Sequence, residues 1–424
     1  MKSFLMERNF LILLSGVLIN GIGGGIYAVS GMLLVLFLSG SVMYSGIAFF
    51  AITLAKSIAF LIAPFTSYFT YKNGLIYCEI LKSILLFSIP LFYATSGLNV
   101  YYVLLLLFLI ALLNQFTYPI ESTIMPIIVG KNHIIKANSF LHTIREGMDI
   151  VFIAGAGILV AFIGPVQAIL ITAVCHLLSS IMYVFFSFEQ NEINNKSTGI
   201  RSFLYTYTID LKEGINHIKG SLIPKMIVSI MFMNFAMGIM IPNLPAFALL
   251  QGGSEATYGF YLAALSLGVM IGAMLTPKVK DFRFGFLIII SMGIQGVFWM
   301  IAASVPVVPS ITLFGLGAIS AGILNILIFS AVQQQVEARL LGRIITVMTS
   351  MASIGMPLGA LLGGSIGEAF GVHVPVFICG AASIIFSGSW LLNKTLRTLP
   401  IVDKVQLFAT NQRTDNMRES MLEE

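Results

Sequence analysis

Twelve times along this chain a run of about twenty mostly apolar residues recurs, and only short breaks holding Gly, Pro, Asn or charge separate the runs. No feature constrains the fold more. A helix rises about 1.5 Å per residue, so roughly twenty apolar residues cross the ~30 Å hydrocarbon core of a bilayer. The runs fall at 10–38, 44–69, 75–94, 99–126, 139–162 and 166–188, then at 226–249, 256–276, 285–304, 309–333, 343–365 and 374–393. Charged residues make up 10% of the 424, where a soluble domain carries about one quarter. So few charges cannot cover a water-facing surface, and the solvent of this chain is lipid. Lys2, Arg8 and Ala28-Val29-Ser30 imitate a secretory leader, but the apolar stretch from Phe10 to Leu38 is too long for one.

Spacing and charge then set the organisation. A polar stretch runs from Glu189 to Gly220 and contains Asn194-Asn195-Lys196-Ser197-Thr198-Gly199, a linker-like composition. The sequence therefore predicts an all-α membrane protein of twelve transmembrane helices in two pseudo-symmetric six-helix bundles around a central cavity. The expected units are 1–190, a linker 191–220, 221–395 and a polar tail 396–424. Asp210 to Lys219 is expected to lie on the membrane surface as an amphipathic helix. Asp415 to Glu424 has a disordered composition. With the N-terminus inside, Lys72, Lys131, Lys136, Lys278, Lys280, Arg283, Arg339 and Arg343 all fall on one side. The opposite loops carry no Lys or Arg and only two acids, Glu255 and Glu368. Because translocating cations is costly, this places both termini in the cytoplasm and the protein in the cytoplasmic membrane. A repeat of roughly 205–211 residues relates Asn114 to Asn325 and one Gly-rich run to another, as transporters built from paired halves require.

Ionisable groups inside the runs are the candidate chemistry, since each costs at least about 2.5–3.5 kcal/mol at membrane depth. His142, Arg145, Glu146 and Asp149 share one helical stripe by i,i+3 and i,i+4 spacing. Glu121, late in the fourth run, lies at a similar depth, within reach of Arg145. These five are candidates for coupling or gating, and equally for an ion-pair lock. Lys56 sits mid-run, where it can read an anionic substrate or pair with an acid. Tyr27, Asn114, Asn234 and Asn325 complete the candidate substrate contacts, and Phe235 is a further aromatic one. Asn20, Asn243 and Gln295 can bind a ligand or hold helices together. Glu79 and Lys82 read as a solvated pair at the cytoplasmic edge. Gly21, Gly24, Pro242, Pro245, Gly355, Pro357 and Gly359 are hinge or packing positions, with Pro242 and Pro245 breaking the seventh helix.

Cys78, Cys175 and Cys379 stand far apart in apolar runs, a pattern of inert thiols rather than of a metal site. No nucleotide-binding GxxxxGK[ST] loop and no HExxH, CxxC or GxSxG pattern occurs, so neither enzymatic activity nor a cofactor is expected. The basic residues form no nucleic-acid face. The expected partners are lipid, a small molecule and protons, with a monomer as the simplest state.

Three stretches resemble the major facilitator superfamily, in particular its branch of macrolide-efflux proteins and siderophore exporters. They are Gln334 to Arg343 with Gly342-Arg343; Ala256-Thr257-Tyr258-Gly259 leading to Gly268 and Gly272; and Gly355-Met356-Pro357-Leu358-Gly359 with Gly363-Gly364. Ala137-Asn138 adds to the likeness. The family's loop between helices two and three keeps its basic character at Lys72, but Tyr68 replaces the usual acid. Gly21 to Gly25 carry no acid either. The resemblance implies proton-driven export of a siderophore or other metallophore, or of an amphipathic drug such as a macrolide, by alternating access. A non-transporting membrane sensor is the reading from another class.

Overall fold

The computed structural model describes residues 7–58, 70–95, 97–129, 134–187, 218–279, 281–335 and 338–405, with single helical positions at 205, 208, 209, 212 and 215. In chain order the helices are α1 (Arg8–Ser39), α2 (Val42–Ser57), α3 (Tyr71–Ala94), α4 (Val100–Val129), α5 (Ile134–Ile163) and α6 (Pro165–Val184). Next come α7 (Ile223–Met240), α8 (Leu244–Leu250), α9 (Glu255–Val279), α10 (Phe284–Ala302) and α11 (Val307–Gln335). The last are α12 (Ala338–Ser353), α13 (Gly355–Phe370), α14 (His373–Leu392) and the short α15 (Lys394–Arg397). Ten helical stretches among the described residues are long and apolar enough to cross a membrane, and two shorter apolar ones, Val42–Ser57 and Val151–Ile163, join them. The protein is thus an all-helical, multi-pass membrane protein of about ten to twelve apolar helices. Only helices satisfy their own backbone in hydrocarbon, which is why apolar length translates directly into helix here.

Local chemistry sets the ends. α1 stops at Gly40, whose φ of 63° lets its N–H return to the Leu36 carbonyl. Thr70 caps α3 by accepting from the Asn73 N–H. Pro165 opens α6 after Gly164, at φ 82°. Pro242 and Pro245 interrupt the seventh span: α7 ends at Met240, a 3₁₀ turn covers Ile241–Asn243, and α8 continues. Asn243 patches the break by donating to the carbonyls of Ile239 and Gly363, both at 2.8 Å. α12 starts at Ala338, so Gly342 and Arg343, which the family resemblance implied for a connecting loop, lie within a helix.

Packing follows glycine. α1 packs on α4, α5 and α6, and α3 on α6, whereas α7 packs on α13 and α14, α9 on α11, and α10 on α14. Two further crossings, α2 with α13 and α5 with α9, join helices of the first set to helices of the second. A Cβ on Gly355, Gly359 or Gly363 would collide with the carbonyl oxygens of Met231, Phe235 or Ile239 on α7. Gly268 and Gly272 press likewise on the backbone of α11. Gly21 is tight against Met148, but Gly24 faces open space, so it plays no part in packing.

The first and the last described residues lie at one face of the bundle. Asn9 donates to the Ser187 carbonyl there at 2.9 Å, and the Phe284 N–H donates to Pro400. Among the described residues the core at this terminal face forms two separate clusters. Phe10, Leu13, Ile124 and Leu141 belong to the first set of helices, and Ile223, Phe284, Ile344 and Trp390 to the second. At the far face a single continuous core runs from Leu34 and Ala156 to Phe247 and Val376. The tail departs from its polar reading: Leu396, Leu399, Val402 and Val405 are buried in the second terminal-face cluster. Their spacing of about three residues gives the segment an apolar side that docks. Ile215 and Ile218 dock in the same cluster while Tyr205 and Lys212 stay exposed, an amphipathic pattern at the described linker positions.

Overpacking a tight crossing costs about 1–3 kcal/mol. Gly359→Val is therefore expected to lower the melting temperature of the detergent-purified protein by several degrees, and Gly24→Ala to leave it unchanged, as read by intrinsic fluorescence.

Candidate functional site

Among the described residues, two ionic clusters lie inside the first set of helices. In one, the Glu79 carboxylate on α3 is fully buried and bridges two basic side chains. Lys82 Nζ donates to its Oε1 at 2.7 Å, and His176 Nδ1 of α6 meets its Oε2 at 2.6 Å. Lys82 is itself buried and donates also to Thr117 Oγ1 of α4 at 3.2 Å. One turn further along α4, buried Glu121 holds the second cluster. It pairs with Arg145 Nη2 of α5 and accepts from the Tyr183 hydroxyl of α6 at 3.3 Å. Asn20 of α1 donates to Tyr183 at 3.4 Å. Thr117 and Glu121 share one face of α4, so a line of polar side chains runs from α6 through α3 and α4 to α5.

Charge balance makes this arrangement tolerable. Bringing one ion into a low-dielectric interior costs several kcal/mol, which only a close counter-ion with further hydrogen bonds offsets. Each carboxylate here has one permanent cation and at least one additional donor. Thus Glu79 and Lys82 are not the solvated edge pair that their position suggested. α3 begins at Tyr71, earlier than its apolar run, because polar Lys72 and Asn73 are helical behind the Thr70 cap. Glu79 is thereby about 12 Å into the helix at 1.5 Å per residue. His176 was missed altogether. The only sequence signal was a lone histidine in an apolar run, and its acid is 97 residues away in sequence.

The second set of helices fills the matching position with neutral groups. Lys82 is the twelfth residue of α3 and Gln295 the twelfth of α10. Gln295 Nε2 donates to Ser383 Oγ of α14 at 3.2 Å, and both are buried. Met292, also buried, is the ninth residue of α10, as Glu79 is of α3.

The other candidates scatter. Glu121 and Arg145 are brought together. His142, Glu146 and Asp149 lie on α5, but their side chains fall outside the described residues, as does Tyr68. Lys56 is exposed in the last turn of α2. Asn114 and Asn325, mid-helix on α4 and α11, are both exposed. Tyr27 is committed to packing, its hydroxyl donating to the Leu107 carbonyl at 3.3 Å. Asn234 similarly donates to Ala352 at 2.8 Å, and Phe235 is half-buried. Lys72 Nζ donates to the Phe186 carbonyl at 2.8 Å, tying α3 to the end of α6.

At the far face the two sets of helices meet backbone to backbone. A Cβ on Gly46 of α2 would lie 2.7 Å from the Ala360 carbonyl oxygen and 2.9 Å from Gly364 Cα, both on α13. A Cβ on Gly157 of α5 would lie 2.8 Å from Gly259 Cα on α9. Beside the first crossing, exposed Glu368 on α13 reaches over to the start of α2. Its Oε2 accepts from Ser41 Oγ and the Val42 N–H at 2.9 Å each, and from the Met43 N–H at 3.3 Å. A carboxylate at a helix N-terminus is favoured by the unsatisfied N–H groups there.

Long apolar helices joined by glycine crossings, with balanced charges held between them, define a membrane transporter of the major facilitator type. The chain belongs to the transmembrane secretion effector family, whose model matches residues 6–423. It is 23% identical over 386 residues to an uncharacterized MFS-type transporter, YvqJ, of Bacillus subtilis strain 168, a match covering 89% of this chain and 90% of that one. Its fold is similar to the crystal structure of the nucleoside transporter NupG, with a TM-score of 0.71 at 11% identity over 91% of this chain and 98% of that one. A bacterial homologue of the human lysosomal transporter Spinster, solved inward-facing and occupied, is similar with a TM-score of 0.67 at 13% identity over 93% and 97%. At these identities the solved structures speak for the fold alone.

Removing one partner of a buried ion pair costs about 3–5 kcal/mol, because the other is left uncompensated. Glu79→Gln and Lys82→Met should each sharply lower the unfolding temperature in detergent. The double variant should lose clearly less than the sum, a coupling that a double-mutant cycle measures.

Proposed function

We propose that the protein is a secondary exporter that moves a small organic molecule out of the cytoplasm in exchange for protons. Twelve crossings then form two six-helix halves, 1–190 and 221–395, joined by the linker 191–220. Both termini lie in the cytoplasm, as the one-sided placement of Lys and Arg supports. The observation that carries this reading is the division of the core. Among the described residues it is one body at the far face and two at the terminal face, the build of a conformer sealed outside and open inside. Alternating access requires the opposite state as well, with the halves rocking about a midplane site. The far-face crossings suit such a motion: glycine contacts are close but contribute little directional bonding, and Glu368 is a capping interaction that can be broken and remade.

The exposed Lys56, Asn114 and Asn325 support a polar cavity between the halves. A lysine or asparagine facing lipid is costly, and none of the three has been given a packing role. Lys56 favours an anionic or chelating substrate, a siderophore or other metallophore. The 33 Phe, 14 Tyr and 21 Met of the chain suit an amphipathic drug such as a macrolide.

Everted membrane vesicles energised by respiration test the export reading, with labelled erythromycin and the catecholate enterobactin as probes. Vesicles from expressing cells should accumulate at least one probe above deletion-strain vesicles, and nigericin, which collapses the pH gradient, should abolish the difference. Equal accumulation of both probes in the two vesicle types would sink the proposal.

Spin labels on Thr95→Cys and Ser304→Cys, one far-face site in each half, test the seam. Glu368→Gln should lengthen and broaden their distance distribution by electron–electron resonance. An unchanged distribution would remove Glu368 from gating.

A further inference from the structure

We propose that His176 is the proton-carrying group of the transport cycle, oriented by Glu79, and that Lys82, Thr117, Glu121 and Arg145 transmit its charge to α5. This rests on the reading of proton-coupled transport and gives it a site.

The geometry of the imidazole comes first. Its Nδ1 lies 2.6 Å from Glu79 Oε2, so a proton stays on Nδ1 in the neutral ring and in the imidazolium alike. The proton that comes and goes is therefore the one on Nε2. Neutral His176 leaves Glu79 and Lys82 as a balanced pair, and protonation adds one positive charge to a buried site. The incoming charge competes with Lys82 for the single Glu79 carboxylate. Lys82 already shares its ammonium with Thr117, one turn from Glu121 on α4. A weaker hold by Glu79 moves Lys82 toward that side and sets it against Arg145 for the charge of Glu121. Arg145 sits on α5, the helix whose Gly157 meets Gly259 across the far-face seam. A proton on α6 is thus linked to one of the four helices of the two crossings that join the halves.

Among the described side chains, α3 presents Glu79, Lys82 and Cys78 to this region, α4 presents Thr117 and Glu121, and α5 presents Arg145. α6 itself adds Cys175 and Tyr183. α1 contributes only Asn20 and the backbone oxygens of Gly16 and Gly23, with no titratable group.

The second half argues that packing alone does not require this charge. There, Met292, Gln295 and Ser383 occupy the matching region between α10 and α14 without any ion. One half holds three ionisable groups where its counterpart holds none. A charge that helix packing does not need, kept at the expense of desolvation, is a functional candidate.

The test uses the full chain in proteoliposomes adsorbed on a solid-supported membrane, without any transported molecule. A jump from pH 8 to pH 6 should displace charge in the wild type, and His176→Gln should reduce the displaced charge at least tenfold. The triple variant Glu79→Met, Lys82→Gln, His176→Ser copies the neutral set of the second half. It should fold, as judged by gel filtration, and should show the same loss. A wild-type-sized displacement in either variant would overturn the proposal, as would no displacement in the wild type. A triple variant that fails to fold assigns the charges to packing and overturns it too. Because no exported molecule is used, failure here is separable from failure of the vesicle assay.

Discussion

Hydrocarbon offers no hydrogen bonds, and nearly every feature of this protein answers that lack. Backbone groups are paired within long helices, so apolar length becomes helix. Side-chain charges that enter the bundle must bring their own counter-ions. Glu79 does so with Lys82 and His176, and Glu121 does so with Arg145 and Tyr183. Without a hydrophobic force between helices in lipid, close approach comes from small residues, and the tightest crossings are built on glycine. Even the break at Pro242 obeys the rule, because Asn243 immediately supplies donors to the carbonyls of Ile239 and Gly363.

The same constraint shapes the contact between the two sets of helices. Glycine crossings such as Gly46 on Gly364 and Gly157 on Gly259 bring backbones into van der Waals contact without interlocking side chains. The glycines of α13 against α7 do the same inside one set of helices, and the far-face crossings lie in an apolar core that spans both sets. At the far face the seam is supplemented by one exposed carboxylate, Glu368, on three donors. Among the described residues the apolar clusters of the two sets are separate at the terminal face, and it is at the far face that the sets touch.

Much of this was legible residue by residue. The spans were legible because length and apolarity alone specify them. The break at Pro242 and Pro245 was legible because proline has no N–H to donate. The closeness of Glu121 and Arg145 could be inferred because their helices follow each other through a short connection and both residues lie near it. The depth of Glu79 and Lys82 was not legible. Their helix starts inside a polar stretch, and hydropathy places a span's edge where polarity begins. His176 was invisible as a site because its partner comes from a helix far away in sequence. Tyr27 and Asn234 looked available to a ligand, but their polar atoms are bonded to neighbouring backbones. The docked tail was hidden because its four apolar residues are diluted among polar ones.

Sequence by itself determined the solvent of this protein, the helical state and the approximate spans. Those follow from local composition and spacing, which a chain carries with it into any fold. Only the tertiary structure decided which charges face one another, which glycines serve contact rather than open space, and at which face the halves touch. Such decisions depend on distances between segments a hundred or more residues apart. In a bilayer, where an unmet charge is so costly, those distances turn a lone histidine and an apparent surface pair into one buried network.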